Sequence, residues 1–289
     1  MTCLEMALPT IGPRRRPAVV SVVGAGGKTS LVFALASEAR AAGLEVLVTT
    51  TTRIRDPRGE GRGIDAFLAD ASWRAGGTAA LPSASEARSR SGALPAVGTL
   101  GLAGTAGLSG AGLPRSGFVA ALGSGVDAGK LGGISPALVG EAEGWDLIIV
   151  EADGARGLSL KAPADHEPVI PASSDVVVAV IGLDCLGRPL GDAIAFRPEL
   201  VARLAGIRIG DAIRPADIAA LASSPLGCFK LAPPTARRVL ALNKADAAPD
   251  GASAETASSA ISAGAADMVV VASFREASAG ARIRSYSRP

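Results

Sequence analysis

Three short stretches of this 289-residue chain carry residue types at spacings that could do chemistry. The first is Gly24-Ala-Gly-Gly-Lys-Thr-Ser30, directly after the apolar run Ala18-Val-Val-Ser-Val-Val23. A triphosphate needs backbone N–H groups turned inward, and glycine lets a backbone curl and approach closely. Gly24, Gly26 and Gly27 give that freedom, and the loop runs on through Ser30 into a helix whose N-terminus adds a favourable field. Lys28 would reach the β- and γ-phosphates and the Thr29 hydroxyl would ligate Mg²⁺. The spacing departs from G-x-x-x-x-G-K-[ST], because Val22 stands where the first glycine belongs. The loop reads as the shorter G-x-x-G-K-[ST], Gly24 through Thr29. An ordinary Gly-rich turn with a solvated lysine is the competing reading, and the placement between a Val-rich strand and a helix speaks against it.

The second stretch is Glu151-Ala-Asp-Gly154, after Asp146-Leu-Ile-Ile-Val150. A carboxylate there, Glu151 or Asp153, can hold Mg²⁺ through water or orient an attacking water. Gly154 can offer its N–H to the γ-phosphate. E-x-x-G resembles the metallochaperone GTPases that assemble metalloenzymes; a plain strand-end Asp-Gly turn is the alternative. The third stretch, Asn243-Lys-Ala-Asp246, matches N-K-x-D. In GTPases the Asp accepts from guanine N1 and N2, while Asn and the Lys stem position the ring. Here that assigns Asn243, Lys244 and Asp246 to base recognition and favours GTP over ATP. The order of the three along the chain is the GTPase order.

Further candidates surround these. Thr49 to Thr52 and Arg53 end a strand, and Thr50, Thr51 and Arg53 could contact the Mg²⁺ shell, phosphates or a partner. Threonine also favours strands on its own account. Lys161-Ala-Pro-Ala-Asp-His-Glu-Pro-Val-Ile-Pro171 concentrates charge among prolines. Lys161, His166 and Glu167, with Arg156, are candidates for contact with a second substrate or partner. A rigid surface loop is the other reading. His166 is the only histidine, so a His-rich metal site is excluded.

The elements that must position these residues follow from periodicity. Val-rich runs at 18–23, 44–50, 146–150, 175–181, 238–242 and 267–272 read as buried parallel strands. Helical spacing covers 29–42, with shorter helices expected at 138–143, 198–204, 215–221 and 234–238 and one within 247–266. Alternating strands and helices give an α/β fold with a mainly parallel sheet and flanking helices. Ligands of such sheets sit at the carboxyl ends of the strands, where all three motifs fall. Residues 1–17 read as a flexible N-terminal segment and 18–274 as the domain. Residues 76–117 read as a Gly/Ala-rich insertion of irregular structure with short strands, and 275–289 as a disordered tail.

Composition excludes several classes. A hydrophobic share of 48% is too high for a wholly disordered chain. Net charge is +2 and arginines are spread along the chain, with one cluster at Arg14–Arg16, so no nucleic-acid face is expected. No run of about 18 apolar residues suggests a membrane span or secretion signal. The widely spaced Cys3, Cys185 and Cys228 fit neither a disulfide framework nor a zinc knuckle, and suit a reducing cytoplasm.

Taken together, Val22–Ser30, Val48-Thr-Thr-Thr-Thr-Arg53, Lys130-Leu-Gly-Gly-Ile-Ser-Pro136, Val150-Glu-Ala-Asp-Gly-Ala-Arg156 and Lys161–Pro171 resemble the selenium-dependent hydroxylase accessory protein family (YqeC family), over roughly Val19 to Asp246. The resemblance implies a P-loop NTPase-like fold and a role in maturing molybdenum hydroxylases that carry a labile selenium. A molybdenum hydroxylase or its maturation factors would then be the partner, with Mg²⁺ and GTP or ATP as cofactors. The short loop also resembles that of the Mur-type amide ligases, which keeps open an ATP-dependent ligase or kinase acting on a small molecule. A non-catalytic, nucleotide-dependent docking protein is the third reading.

Overall fold

The computed structural model describes residues 2–7, 16–60, 62–74, 79–90, 117–274 and 283–287. Its centre is a nine-stranded sheet of β1 (Ala18–Gly24), β2 (Glu45–Thr50), β3 (Ala66–Ala69), β4 (Phe118–Gly123), β5 (Leu147–Glu151), β6 (Val176–Gly182), β7 (Arg237–Asn243), β8 (Met268–Val271) and β9 (Arg284–Ser287). The order is β9-β8-β7-β6-β1-β5-β2-β4-β3, parallel throughout except at β9. The fold is therefore α/β with a large, mainly parallel sheet, consistent with a P-loop NTPase-like architecture.

Alternate side chains of each strand feed opposite faces. Val20 and Val22 of β1 pack with α2 (Lys28–Ala41) on one face, while Val19 and Val23 join the other, under α4 (Pro136–Glu141), α5 (Pro198–Ala205), α6 (Pro215–Ser223) and α7 (Ala252–Ser262). Burial on both faces explains why the central strands are continuous Val/Ile/Leu runs. The chain leaves β1 for β2, returns to insert β5 between them, then builds β6 to β8 on the far side of β1. This reversal lies between β1 and β6, where α/β sheets open a crevice.

Several sequence expectations are corrected. Residues 234–236 form a turn and β7 begins at Arg237, so the helix expected at 234–238 is absent; Pro233 and Pro234 are followed at once by ladder pairing with β6. Three strands of the main sheet, β3, β4 and β9, were not anticipated. β3 has four residues with alanine at each end, and β4 begins straight after a Gly-rich stretch with Ala120 and Ala121 at its centre. Alanine carries little strand propensity, and burial between β2 and β3 overrides that. Within the expected insertion at 76–117, α3 (Ala84–Arg90) packs Ala84 and Ala87 into the core, while 76–78 and 91–116 lie outside the described residues. Within the segment expected to be flexible, α1 (Cys3–Ala7) buries Cys3, Met6 and Ala7 against α2. Residues 284–287 of the expected tail form β9.

Candidate functional site

β1 ends at Gly24, and the chain turns into α2 through three residues of positive φ: 92° at Gly24, 85° at Gly26 and 123° at Gly27. A Cβ at Gly24 would strike the Val180 carbonyl, at Gly26 the Gly182 backbone, and at Gly27 the Asn243 side chain. The loop is thus wedged between β6 and the end of β7. Three of its N–H groups are committed: Gly24 donates to Asp153 Oδ2 (2.9 Å), Ala25 to Val180 O (2.8 Å) and Gly26 to Leu158 O (2.8 Å). Those of Gly27, Lys28, Thr29 and Ser30, at the head of α2, donate to no described residue. The open donors are therefore the second half of the expected cradle, while Gly24 and Gly26 shape the turn.

Parallel register brings the carboxylates to this loop, since Glu151 of β5 is level with Val22 of β1 and Thr50 of β2. Lys28 is buried, with Nζ 2.8 Å from Gly24 O, 3.2 Å from Asp153 Oδ1 and 3.7 Å from Glu151 Oε1. The Thr29 hydroxyl donates to Glu151 Oε2 at 3.0 Å. Burial works against the charged ammonium of Lys28, but Asp153 and Glu151 outweigh it and hold its pKa above the usual lysine value. Burial also raises the Glu151 pKa, opposed by Lys28 and by the Thr29 hydrogen bond.

An ion-pair chain runs on from Asp153. Lys161 Nζ lies 2.9 Å from Asp153 Oδ2 and 2.8 Å from Glu167 Oε2, and donates to Gly154 O at 2.6 Å. Arg197 Nη1 meets the same Glu167 oxygen at 2.7 Å. Burial would raise the Glu167 pKa, yet the hydrogen bonds from Arg197 and Lys161 bring it down to about 2. Asp184 of the β6 end and Ser159 hold Lys244 Nζ, each at 2.8 Å.

The Asn243–Asp246 stretch lies on the other side of the loop. Asn243 Nδ2 donates to Gly26 O (2.7 Å) and its Oδ1 accepts from the Phe274 N–H (2.9 Å), so it fastens the loop to the end of β8. Asp246 is exposed, and its Oδ1 accepts from the Ser273 hydroxyl at 2.5 Å. A pocket of about 270 Å³ opens here, lined by Gly27, Ser30, Asp184, Asn243, Lys244 and Asp246, with Ser273 and Phe274.

The remaining candidates are partly absorbed. Thr49 and Thr50 hydroxyls donate to Leu122 O (2.9 Å) and Glu151 O (2.8 Å), and Thr51 donates to Val169 O (2.6 Å), so these threonines stitch strand ends together. Arg53 pairs at the surface with Asp127 (2.8 Å). His166 is exposed, beside the buried Glu167. Gly154 has open space where a Cβ would stand.

A sequence model described as "YqeC protein" matches residues 20–199. The chain belongs to the YqeC family. A relative from Escherichia coli (strain K12), "Uncharacterized protein YqeC", is 33% identical over 243 residues, covering 81% of this chain and 78% of that protein. No solved structure matches the chain. The matched span 20–199 holds the loop, both carboxylates and the 161–171 segment, and ends before Asn243. Sequence reasoning missed Ser159, Asp184, Phe196, Arg197 and Ser273. Asp184 had a legible signal, an acid just past the end of a Val-rich strand. Arg197 and Ser273 had none, because only the fold brings them to Glu167 and Asp246.

Proposed function

We infer that this protein binds a nucleoside triphosphate with Mg²⁺ and hydrolyses it, with guanine the preferred base. The observation that carries the reading is a shared wall. Gly27 and Ser30, at the head of α2 with its four open N–H groups, also line the pocket bordered by Asp246. At about 270 Å³ that pocket is smaller than the ~300 Å³ at which whole small-ligand sites begin, which suits a base with the phosphates outside. Asp246 would accept from two guanine N–H donors, with the Ser273 hydroxyl fixing its rotamer.

Thr29 and Glu151 offer hard oxygens 3.0 Å apart, which fits Mg²⁺ held by one hydroxyl, one carboxylate through water, and phosphate oxygens. Bound there, the ion would neutralise charge on the phosphates. Lys28 would exchange its carboxylate contacts for phosphate oxygens, and one of the released carboxylates, Glu151 or Asp153, would accept a proton from the attacking water. Family resemblance adds the setting: maturation of a selenium-dependent molybdenum hydroxylase, driven by this cycle. The basic cluster beside Asp153 supports a second reading, transfer to a small acceptor.

The test is equilibrium titration of GTP and ATP with Mg²⁺, followed by phosphate release. GTP should bind at least about tenfold more tightly than ATP. Absence of any triphosphate binding would overturn the reading, and equal affinity would remove its guanine half. Hydroxylase activity in cells should be lost when Lys28→Ala replaces the native chain.

A further inference from the structure

A small parallel pair outside the main sheet sets Leu160–Lys161 beside Ala195–Phe196, with Phe196 level with Lys161. Three cations gather on the Phe196 ring: Arg197 at 4.2 Å, Arg156 at 4.9 Å and Lys161 at 5.8 Å from its centroid. Glu167 answers Lys161 and Arg197, while Arg156 is exposed and makes no ion pair with any described residue. Both arginines sit in left-handed backbone, with φ of 52° at Arg156 and 62° at Arg197. Non-glycine residues take that conformation at a cost, and such residues cluster where a ligand is gripped. Here two of them converge on one ring. Lys161 links the cluster to Asp153 at 2.9 Å, and Asp153 in turn touches Lys28.

We propose that Arg156 and Arg197 form a clamp for the anionic group, carboxylate or phosphate, of a second ligand that binds beside the γ-phosphate position. The ring lies within cation–π distance of both guanidinium groups, and guanidinium forks match carboxylate and phosphate oxygens in pairs. Glu167 holds Arg197 in place, and Arg156, which has no acidic partner among the described residues, supplies the charge that the ligand neutralises. The clamp's position beside a phosphate rests on the nucleotide reading above; its capture of an anion does not.

NMR chemical-shift titrations with methyl phosphate and, separately, acetate test it on the full chain. The expected result is saturable binding of at least one, weakened at least tenfold by Arg156→Ala and severalfold by Arg156→Lys. Arg197→Lys, which keeps a cation for Glu167, should also weaken it while the spectrum stays folded. Which probe binds tells carboxylate from phosphate. Binding abolished by Lys28→Ala but untouched by Arg156→Ala would put the anion in the loop and overturn the clamp, as would no binding of either probe. GTP titration of Arg156→Ala runs alongside: retained GTP binding with lost anion binding supports the clamp. Wild-type protein that binds the anion but no triphosphate sinks the nucleotide reading alone.

Discussion

Lys28 is held by three oxygens of its own chain, so removing it has two separable consequences. Triphosphate binding should disappear, because the loop's mobile positive charge is gone. Stability should also fall by about 3–5 kcal/mol, because Glu151 is left buried without its counter-ion while Asp153 keeps only Lys161. Urea unfolding of Lys28→Met and of Lys28→Met/Glu151→Gln separates the two. The double variant should regain part of the stability and none of the binding; a double variant as unstable as the single would mean that the buried carboxylate is not the cause. Asp246→Asn is gentler, since an amide oxygen can still accept from Ser273. It should lower GTP affinity by about 1.5–3 kcal/mol, tenfold to a hundredfold, and favour xanthine nucleotides relative to wild type. Competition between GTP and XTP reads this directly, and an unchanged ratio would remove Asp246 from base recognition.

At the scale of elements, the loop between β1 and α2 differs sharply from the loop after β5. Gly26→Ala combines a φ of 85° with collision into the Gly182 backbone and should cost about 2–5 kcal/mol in unfolding free energy. Gly154→Ala meets open space and should leave stability within about 0.5 kcal/mol, while crowding the phosphate approach and slowing turnover at least about tenfold. Equal destabilisation by both would contradict the wedged loop. The same contrast explains what could be read in sequence. The central strands and α2 were legible because two-faced burial writes Val runs, and because a Gly-Gly-Lys-Thr turn must join a strand to a helix. β3 and β4 were illegible because alanine-rich strands are fixed by their neighbours and not by propensity. At the site, Lys28, Thr29, Glu151 and Asn243 were found from local spacing. The Lys161–Glu167–Arg197 chain and the Ser273 contact were not, since each joins residues from separate elements.

For the whole molecule, the ion-pair chain beside the sheet makes stability depend on acidity. Glu167 bridges the 161–171 segment to Arg197 at the head of α5, so its charge ties two excursions of the chain to one another and, through Lys161, to β5's end. Its carboxyl is held at about 2 against an ordinary 4.5. A depressed carboxyl stabilises the native state fully above the unfolded value, and that contribution is lost as pH falls from about 4.5 toward 2. By pH 3 the loss from this group alone is about 2 kcal/mol. Glu151 acts in the opposite sense: burial raises its pKa, so the native state holds that proton more tightly and its contribution declines as pH rises through the raised value. The two buried carboxyls Glu167 and Glu151 therefore respond to acid in opposite directions. Glu167→Gln keeps the hydrogen-bonding shape and removes the titration. Urea unfolding at pH 5.5 and pH 3 should then show a smaller drop in the variant than in the wild type, by about 2 kcal/mol. Equal drops in the two proteins would mean that Arg197 and Lys161 do not hold the carboxylate charged, and that the two excursions are joined by packing alone.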